Sequence, residues 1–251
     1  MNDASAFNAF VAIGDSFTEG MNDVRPDGRM RGWADRLADR LADQNPEFRY
    51  ANLAVRGKLL QQIRDEQLPT ALTSGADLFS IAGGGNDILR PRADIDALAD
   101  TFEQLVGQLR ATGARVLMFT GFDPTAPVLR LARGRAAIYN SHLRQIATRT
   151  GADLVELWSL ASLRTQGAFS DDRLHLTSVA HERVARLAAV TLGLQAEDPY
   201  EPFTPAPAPT RRDDLRWARE HLYPWVKRHA RGQSSGDALT AKRPHLDAVG
   251  D

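Results

Sequence analysis

Cysteine is missing from the chain: none of its 251 residues is a cysteine. This absence excludes disulfide bonds, thiol nucleophiles, thiolate zinc sites and cysteine-held iron–sulfur clusters. It also fits a reducing compartment. A chain of this length can bury a substantial core, so it needs no disulfide or metal to fold.

An excess of charge of either sign is missing as well. The 31 basic and 32 acidic side chains leave a formal net charge of −1. A nucleic-acid-binding protein usually carries a strong basic excess, because it neutralises phosphates. We therefore expect no nucleic-acid partner.

The sequence also lacks a long apolar run. No segment approaches the roughly 18 apolar residues of a membrane-spanning helix. Residues 1–8 contain no lysine or arginine, and the apolar run that follows ends at Gly14. A secretory signal has a basic start and a longer apolar stretch. These features predict a cytoplasmic protein without membrane contact.

Short apolar runs instead alternate with helical patterns. Strands are predicted at Phe7–Ile13, Phe48–Val55, Asp77–Ala82, Arg115–Thr120 and Ala152–Leu157. Apolar residues at helical spacing lie between and after these runs. The alternation predicts an α/β fold, with a parallel sheet of about five strands and helices on both faces. The functional loops of such sheets follow the carboxyl ends of the strands.

The composition changes at Pro199. Five of the thirteen prolines lie in Pro199–Pro209, which predicts an extended connector. A helical pattern resumes over Arg211–Arg231, with Leu215 and Leu222 on one face. We therefore divide the chain into a main α/β domain at residues 1–198, a Pro-rich connector at 199–210, and a helical extension with a mobile tail at 211–251.

The extension has two interpretations. Disordered tails rarely contain two tryptophans, here Trp217 and Trp225, so the helix is expected to pack back on the domain. Seven basic and three acidic residues in 211–231 also fit a helix that binds a partner or a membrane. We favour packing. The connector could then bring the helix to the carboxyl edge of the sheet, where it would line one side of a substrate pocket. The charged loop Asn22–Arg31 could line another side of that pocket.

Residues able to carry chemistry follow three predicted strands. Ser16 ends the triplet Gly14-Asp15-Ser16 after the first strand, where its hydroxyl lies at the functional edge of the sheet. Gly57 follows the second strand and lets the backbone approach a ligand closely. The third strand leads into Gly83-Gly84-Gly85-Asn86-Asp87, where Asn86 adds an amide donor. P-loop and dinucleotide-binding spacings are absent.

An acid–base pair is predicted near the end of the domain. Asp172 precedes His175 by three residues, so its carboxylate can accept the imidazole Nδ1–H and leave Nε2 free as a base. Asp171 is the rival for this role, although its extra residue of separation fits the geometry less well. No role is assigned to the remaining histidines, which are His142, His181, His221, His229 and His245.

Taken in chain order, these four motifs resemble the SGNH hydrolase superfamily of GDSL-type esterases and lipases over roughly residues 7–193. The resemblance implies a flavodoxin-like three-layer α/β/α sandwich. It also implies that Ser16 is the nucleophile, His175 the base and Asp172 the residue that orients it. The N–H groups of Ser16 and Gly57 and the Asn86 side chain would form the oxyanion hole. No metal or organic cofactor is needed.

Two positions depart from the pattern. Members of the superfamily often have Asp-Gly-x-His-Pro, whereas Arg173 replaces the glycine here and Leu176 the proline. Neither position carries the chemistry. Asp15 is expected to bind loop amides, and Asp87 is expected to cap the helix that follows it.

The leading hypothesis is a serine hydrolase that cleaves a small-molecule acyl ester through an acyl-enzyme. One alternative is an O-deacetylase of a carbohydrate or natural product. Another is a non-enzymatic binding module on the same fold, which would be expected to have lost a catalytic residue. The motifs define neither the acyl-chain length nor the leaving group, and the oligomeric state stays open.

Overall fold

A computed structural model describes residues 7–90, 92–123, 129–201, 203, 210–224, 227 and 236–250. The strands are β1 (Ala9–Gly14), β2 (Arg49–Asn52), β3 (Leu78–Ala82), β4 (Arg115–Phe119), β5 (Asp153–Val155) and β6 (Arg243–Ala248). The helices are α1 (Ser16–Glu19), α2 (Trp33–Ala42), α3 (Leu60–Gln62), α4 (Leu68–Leu72), α5 (Gly85–Ile88), α6 (Ile95–Ala111), α7 (Arg133–Thr150), α8 (Ser178–Thr191) and α9 (Arg211–Trp217). A π-helical turn (Ile63–Gln67) joins α3 to α4, and a second (Ala218–Leu222) extends α9. Short 3₁₀ turns lie at Leu129–Ala132, Ala161–Arg164 and Gln166–Ala168.

The strands form one sheet in the order β5-β4-β3-β1-β2-β6. The first five pair in parallel, which confirms the α/β prediction. The order 2-1-3-4-5 is that of flavodoxin-like folds. Their ligands bind at the switch point between β1 and β3, where the strand order reverses direction. Gly14 at the end of β1 pairs with Ala82 at the end of β3. The loops after these two strands therefore begin side by side.

Helices cover both faces of the sheet, because successive side chains of a strand point to opposite sides. In β1, Phe10 and Ala12 belong to the core beneath α2 and α8. Val11 and Ile13 belong to the core beneath α3, α4, α6 and α7. The result is the predicted three-layer arrangement, with the loops of the carboxyl edge left open to carry side chains.

A sixth strand lies at the edge of the sheet, and the sequence analysis missed it. Strand β6 pairs antiparallel with β2, Arg49 facing Ala248. The sequence analysis predicted a mobile tail here, whereas Arg243–Ala248 is a paired edge strand, and the sheet has six strands rather than about five. A proline in the strand and mostly exposed side chains obscured the signal, as is common for edge strands.

The C-terminal helix is present, but it uses a different face from the predicted one. Leu215, which was expected to pack, is 73% exposed. Trp217 and Asp214 instead contact the loop that carries Asp172. Trp225 and most of the predicted connector lie outside the described residues, and the proposed domain boundaries stay a prediction. Within the described ranges, no helix is both long enough and apolar enough to cross a membrane.

Candidate active site

Ser16 is the first residue of α1. Asp15 alone separates it from Gly14, the last residue of β1. The side chain of Asp15 caps this helix by accepting from the Phe17 amide at 3.1 Å. Gly14 has φ +155°, and a Cβ there would lie 2.5 Å from the carbonyl oxygen of Ala82. Only glycine fits this close approach of two backbones. The turn therefore fixes the Ser16 hydroxyl at the carboxyl edge of the sheet.

Three side chains form a continuous hydrogen-bonded chain at this edge. Ser16 Oγ lies 3.0 Å from His175 Nε2, and His175 Nδ1 lies 2.7 Å from Asp172 Oδ2. A carboxylate accepts only, so Nδ1 carries the proton and Nε2 can accept from the serine hydroxyl. The arrangement can move a proton from Ser16 to His175. Asp171 is exposed and Asp172 makes the contact, so the structure favours the leading candidate over its rival.

The Asp172 carboxylate is held by a dense set of donors. Oδ1 accepts from the amides of Leu174 and His175, each at 2.9 Å. Oδ2 also accepts from the Asn22 side chain at 2.7 Å. Burial alone would raise the pKa of Asp172, but hydrogen bonds and the charge of His175, with the backbone donors, hold that pKa well below its usual range. The carboxylate therefore stays ionised and able to stabilise an imidazolium.

Asn86 lies in the first turn of α5, which follows β3. The residue before this helix, Gly84, has φ +94°, and a Cβ there would lie 2.7 Å from the Tyr139 hydroxyl. The Asn86 amide donates to Asp15 Oδ2 at 3.2 Å and to the Lys58 carbonyl at 3.0 Å. The structure thus ties the loop after β3 both to the turn of the serine and to the loop after β2.

Gly57 has φ +73° and directly precedes the Lys58 carbonyl that Asn86 binds. Its other neighbour, Arg56, pairs with Glu19 at the end of α1, and the Arg56 amide donates to the same carboxylate at 2.8 Å. These contacts attach the Gly57 loop to the serine-bearing helix. Gly57 itself is not among the residues that line the cavity described next.

A cavity of about 200 Å³ opens beside Ser16 and His175. The ends of β3 and β4, helix α7 and the loops around them supply most of its walls. Its large apolar lining residues are Phe17, Met21, Ile88, Leu89, Phe119, Phe122, Tyr139, Leu143, Leu157, Leu174 and Leu176. An apolar cavity that also contains a serine and a histidine suits a ligand with one polar and one hydrophobic part.

The family model described as the GDSL-like Lipase/Acylhydrolase family matches residues 12–183, more than two thirds of the chain. The chain belongs to this family. It is accordingly a carboxylic ester hydrolase that acts on small-molecule esters. None of the curated proteins matches the chain.

Solved structures resemble this GDSL-like hydrolase in fold. The acetylxylan esterase Axe2 from Geobacillus stearothermophilus is 21% identical, with a TM-score of 0.64 over 75% of this chain and 95% of its own. TesA is 24% identical, with a TM-score of 0.63 over 74% and 98%. LAE5, an alpha/beta hydrolase enzyme from the metagenome of Lake Arreo, Spain, is 19% identical, with a TM-score of 0.64 over 74% and 95%. At these identities the likeness concerns the fold alone.

Two other acidic residues of the GDSL-like hydrolase lie near its serine. Asp15 is buried, which raises the pKa of its carboxyl from 3.8 to about 6, although the Phe17 amide and the charge of His175 oppose this. As expected, its oxygens accept from amides. Asp87 was expected to cap the helix that follows it, and this is wrong. Its carboxylate accepts from the Leu60 amide at 3.0 Å, so it caps α3 instead.

His181 lines the cavity, although the sequence analysis assigned no role to it. Its Nδ1 accepts from the Trp33 amide at 3.2 Å, and burial lowers the pKa of the ring to about 3. A neutral ring packed beside Phe17 serves as a wall of the cavity. The charged loop Asn22–Arg31 contributes none of the lining residues, all of its positions being described. Its Asn22 contacts Asp172 instead, and no sequence signal pointed to that contact.

Proposed function

We propose that the protein is a serine esterase that cleaves acyl esters through an acyl-enzyme intermediate. The observation that carries this proposal is the unbroken chain from Ser16 Oγ through His175 to Asp172, with separations of 3.0 and 2.7 Å. A serine hydroxyl is a poor nucleophile near neutral pH unless an adjacent base takes its proton. The oriented imidazole supplies that base.

In the first half of the reaction, Ser16 Oγ bonds to the ester carbonyl carbon while His175 Nε2 takes the serine proton. The carbon–oxygen bond to the leaving alcohol then breaks, and His175 gives its proton to that alcohol. In the second half, water attacks the acyl-serine with His175 as base, which releases the carboxylic acid and restores Ser16. The Asp172 carboxylate stabilises the imidazolium formed in both halves.

The developing oxyanion would be bound by the amides of Ser16 and Gly57 and by the Asn86 side chain. The Asn86 amide has two hydrogens, which now bind Asp15 and Lys58. We propose that the oxyanion replaces the longer of these contacts, the one to Asp15, and that the Lys58 contact holds the amide in place. Donors set in advance in this way cost little reorganisation during the reaction.

The apolar cavity supports an acyl group longer than acetyl. Its volume of about 200 Å³ exceeds the space that an acetyl group fills, and large apolar side chains supply most of the wall. The alternative is an O-deacetylase, in which case the cavity would accept part of the alcohol. Fold likeness to an acetylxylan esterase is compatible with this alternative.

Hydrolysis of p-nitrophenyl acetate, butyrate and octanoate distinguishes the two readings, with Ser16→Ala as the blank. The proposal predicts that kcat/KM rises from acetate to a longer ester and that Ser16→Ala abolishes every rate. A strict preference for acetate would support the deacetylase. Equal rates with and without the Ser16 hydroxyl would contradict both.

A further inference from the structure

Helix α9 contacts the backbone of the residue that orients the candidate base. The indole Nε1–H of Trp217 donates to the Asp172 carbonyl oxygen at 2.8 Å. The Asp172 side chain meanwhile binds His175, so one residue carries both contacts. Trp217 lies well beyond residue 183, where the match to the family model ends. The contact is therefore made by a part of the chain outside the matched region.

Arg173 makes the second contact between this loop and α9. Its guanidinium lies 5.0 Å from the centre of the Trp217 ring and 2.7 Å from Asp214 Oδ1. The Arg173 backbone has φ +58°, in the left-handed region that non-glycine residues rarely adopt. The family pattern often has glycine here, whereas this chain uses arginine. The two contacts to α9 give that side chain a role that glycine could not fill.

The helix is built to present these side chains. The Thr210 hydroxyl accepts from the Asp213 amide at 3.3 Å, and the Asp213 carboxylate accepts from the Thr210 amide at 2.9 Å. This reciprocal cap fixes the start of α9 at Arg211, three residues before Asp214. None of these side chains lines the cavity at Ser16. Their contacts lead to the Asp172 loop rather than to the substrate.

We propose that α9 is a brace that positions Asp172, and through it His175, with Trp217 and Arg173 as positioning residues. This inference rests on the proposed function. A peptide group held by the indole cannot rotate freely, so the Asp172 carboxylate keeps facing the imidazole. The brace raises the fraction of molecules in which the proton relay is aligned. It acts on kcat rather than on KM, because it makes no wall of the cavity.

Trp217→Phe is the first test. Phenylalanine keeps an aromatic ring beneath Arg173 and removes the N–H donor together with the rest of the pyrrole ring. The loss of one hydrogen bond corresponds to a fall in kcat of about three- to tenfold on a p-nitrophenyl ester, with KM unchanged. The rate of inactivation by phenylmethylsulfonyl fluoride, which reports serine reactivity without ester binding, should fall in parallel.

Trp158→Phe is the matched control. Trp158 is also partly buried and stacks with an arginine, its ring centre 5.4 Å from the Arg133 guanidinium, but it makes no described contact with Asp172. Its kcat and inactivation rate should equal those of the wild type. Equal losses in both tryptophan variants would overturn the brace, since the effect would then be general.

Arg173→Gly is the second test, and it does not depend on the folding of Trp217→Phe. Glycine adopts the left-handed conformation readily, so the loop keeps its path while both arginine contacts are lost. We expect kcat and the inactivation rate to fall together again. If Trp217→Phe and Arg173→Gly both keep the wild-type kcat and inactivation rate while Ser16→Ala is inactive, the positioning role of α9 is wrong and the proposed function stands. Activity surviving in Ser16→Ala would overturn the proposed function, and the brace with it.

Discussion

Asn86 donates its side-chain amide to the carboxylate of Asp15 across 3.2 Å. The contact joins the loop after β1, which carries Ser16, to the loop after β3. It also gives one amide two competing partners, the carboxylate in the resting enzyme and the oxyanion in the proposed reaction. Asp15 therefore contacts the amide that we propose binds the oxyanion.

Asp15→Asn should change how stability depends on pH. The folded protein holds the pKa of Asp15 at about 6, above the ordinary 3.8, so it binds a proton that the unfolded chain releases earlier. The stability this proton provides is present below about pH 4 and is lost as the pH rises through 6. The side chain of the Asp15→Asn variant does not titrate. The free energy of unfolding of this variant should therefore rise relative to that of the wild type, by up to about 3 kcal/mol between about pH 4 and pH 6.

Urea denaturation of both proteins from pH 4 to pH 7.5 measures that shift. The difference between the two unfolding free energies should grow up to about pH 6 and then level off. Parallel stability curves would show that Asp15 does not titrate in this window.

Asn86→Ala should lower kcat by about 10²–10³, the usual effect of losing one oxyanion donor. The side chain is only partly buried, so the fold should survive. Steady-state rates and circular dichroism of the same sample check the two statements. A folded Asn86→Ala protein with wild-type kcat would remove Asn86 from the oxyanion site.

Asn22 should matter for the reaction although no motif contains it. Its amide donates to Asp172 Oδ2 at 2.7 Å from a backbone with φ +72°. Asn22→Gly keeps that backbone accessible and removes the donor, so kcat should fall about three- to tenfold at an unchanged melting temperature. Asn22→Ala should lose activity equally and also melt earlier. Full activity in the glycine variant would show that the other donors to Asp172 suffice.

Lys242 should anchor the C-terminal segment to the domain. Its Nζ donates to Asp35 Oδ2 at 2.5 Å and to the Glu19 carbonyl at 2.6 Å, and the two side chains of the ion pair are only 18% and 11% exposed. Lys242→Met leaves the Asp35 carboxylate without its cation and should cost about 3 kcal/mol of unfolding free energy.

Arg64→Gln removes the exposed pair of Arg64 and Asp65 and is the matched control in urea denaturation. Its effect should be far smaller, because solvent screens such a pair. Similar losses in the two variants would contradict an anchoring role for Lys242.

The sequence was sufficient to predict the five parallel strands, because each is a short buried apolar run between helical patterns. It also indicated Ser16 and His175, because their loops follow recognisable motifs. Strand β6 was missed, since Pro244 and the exposed side chains around it hide an edge strand whose pairing depends on β2.

Contacts between distant parts of the chain explain the other differences. Asp87 caps a helix that begins 27 residues earlier, and Asn22 binds a carboxylate 150 residues away. Trp217 reaches Asp172 across 45 residues through its indole rather than through the predicted apolar face. Local spacing carries no information about such pairings, because tertiary packing alone brings these residues together.

In the proposed mechanism Ser16 is the nucleophile and His175 is its base. Peptide mapping by mass spectrometry after treatment with phenylmethylsulfonyl fluoride tests these two roles. We expect one modified residue, Ser16, with loss of esterase activity in proportion to labelling and no labelling in His175→Ala. Modification of a different residue, or full activity after complete labelling of Ser16, would contradict these roles.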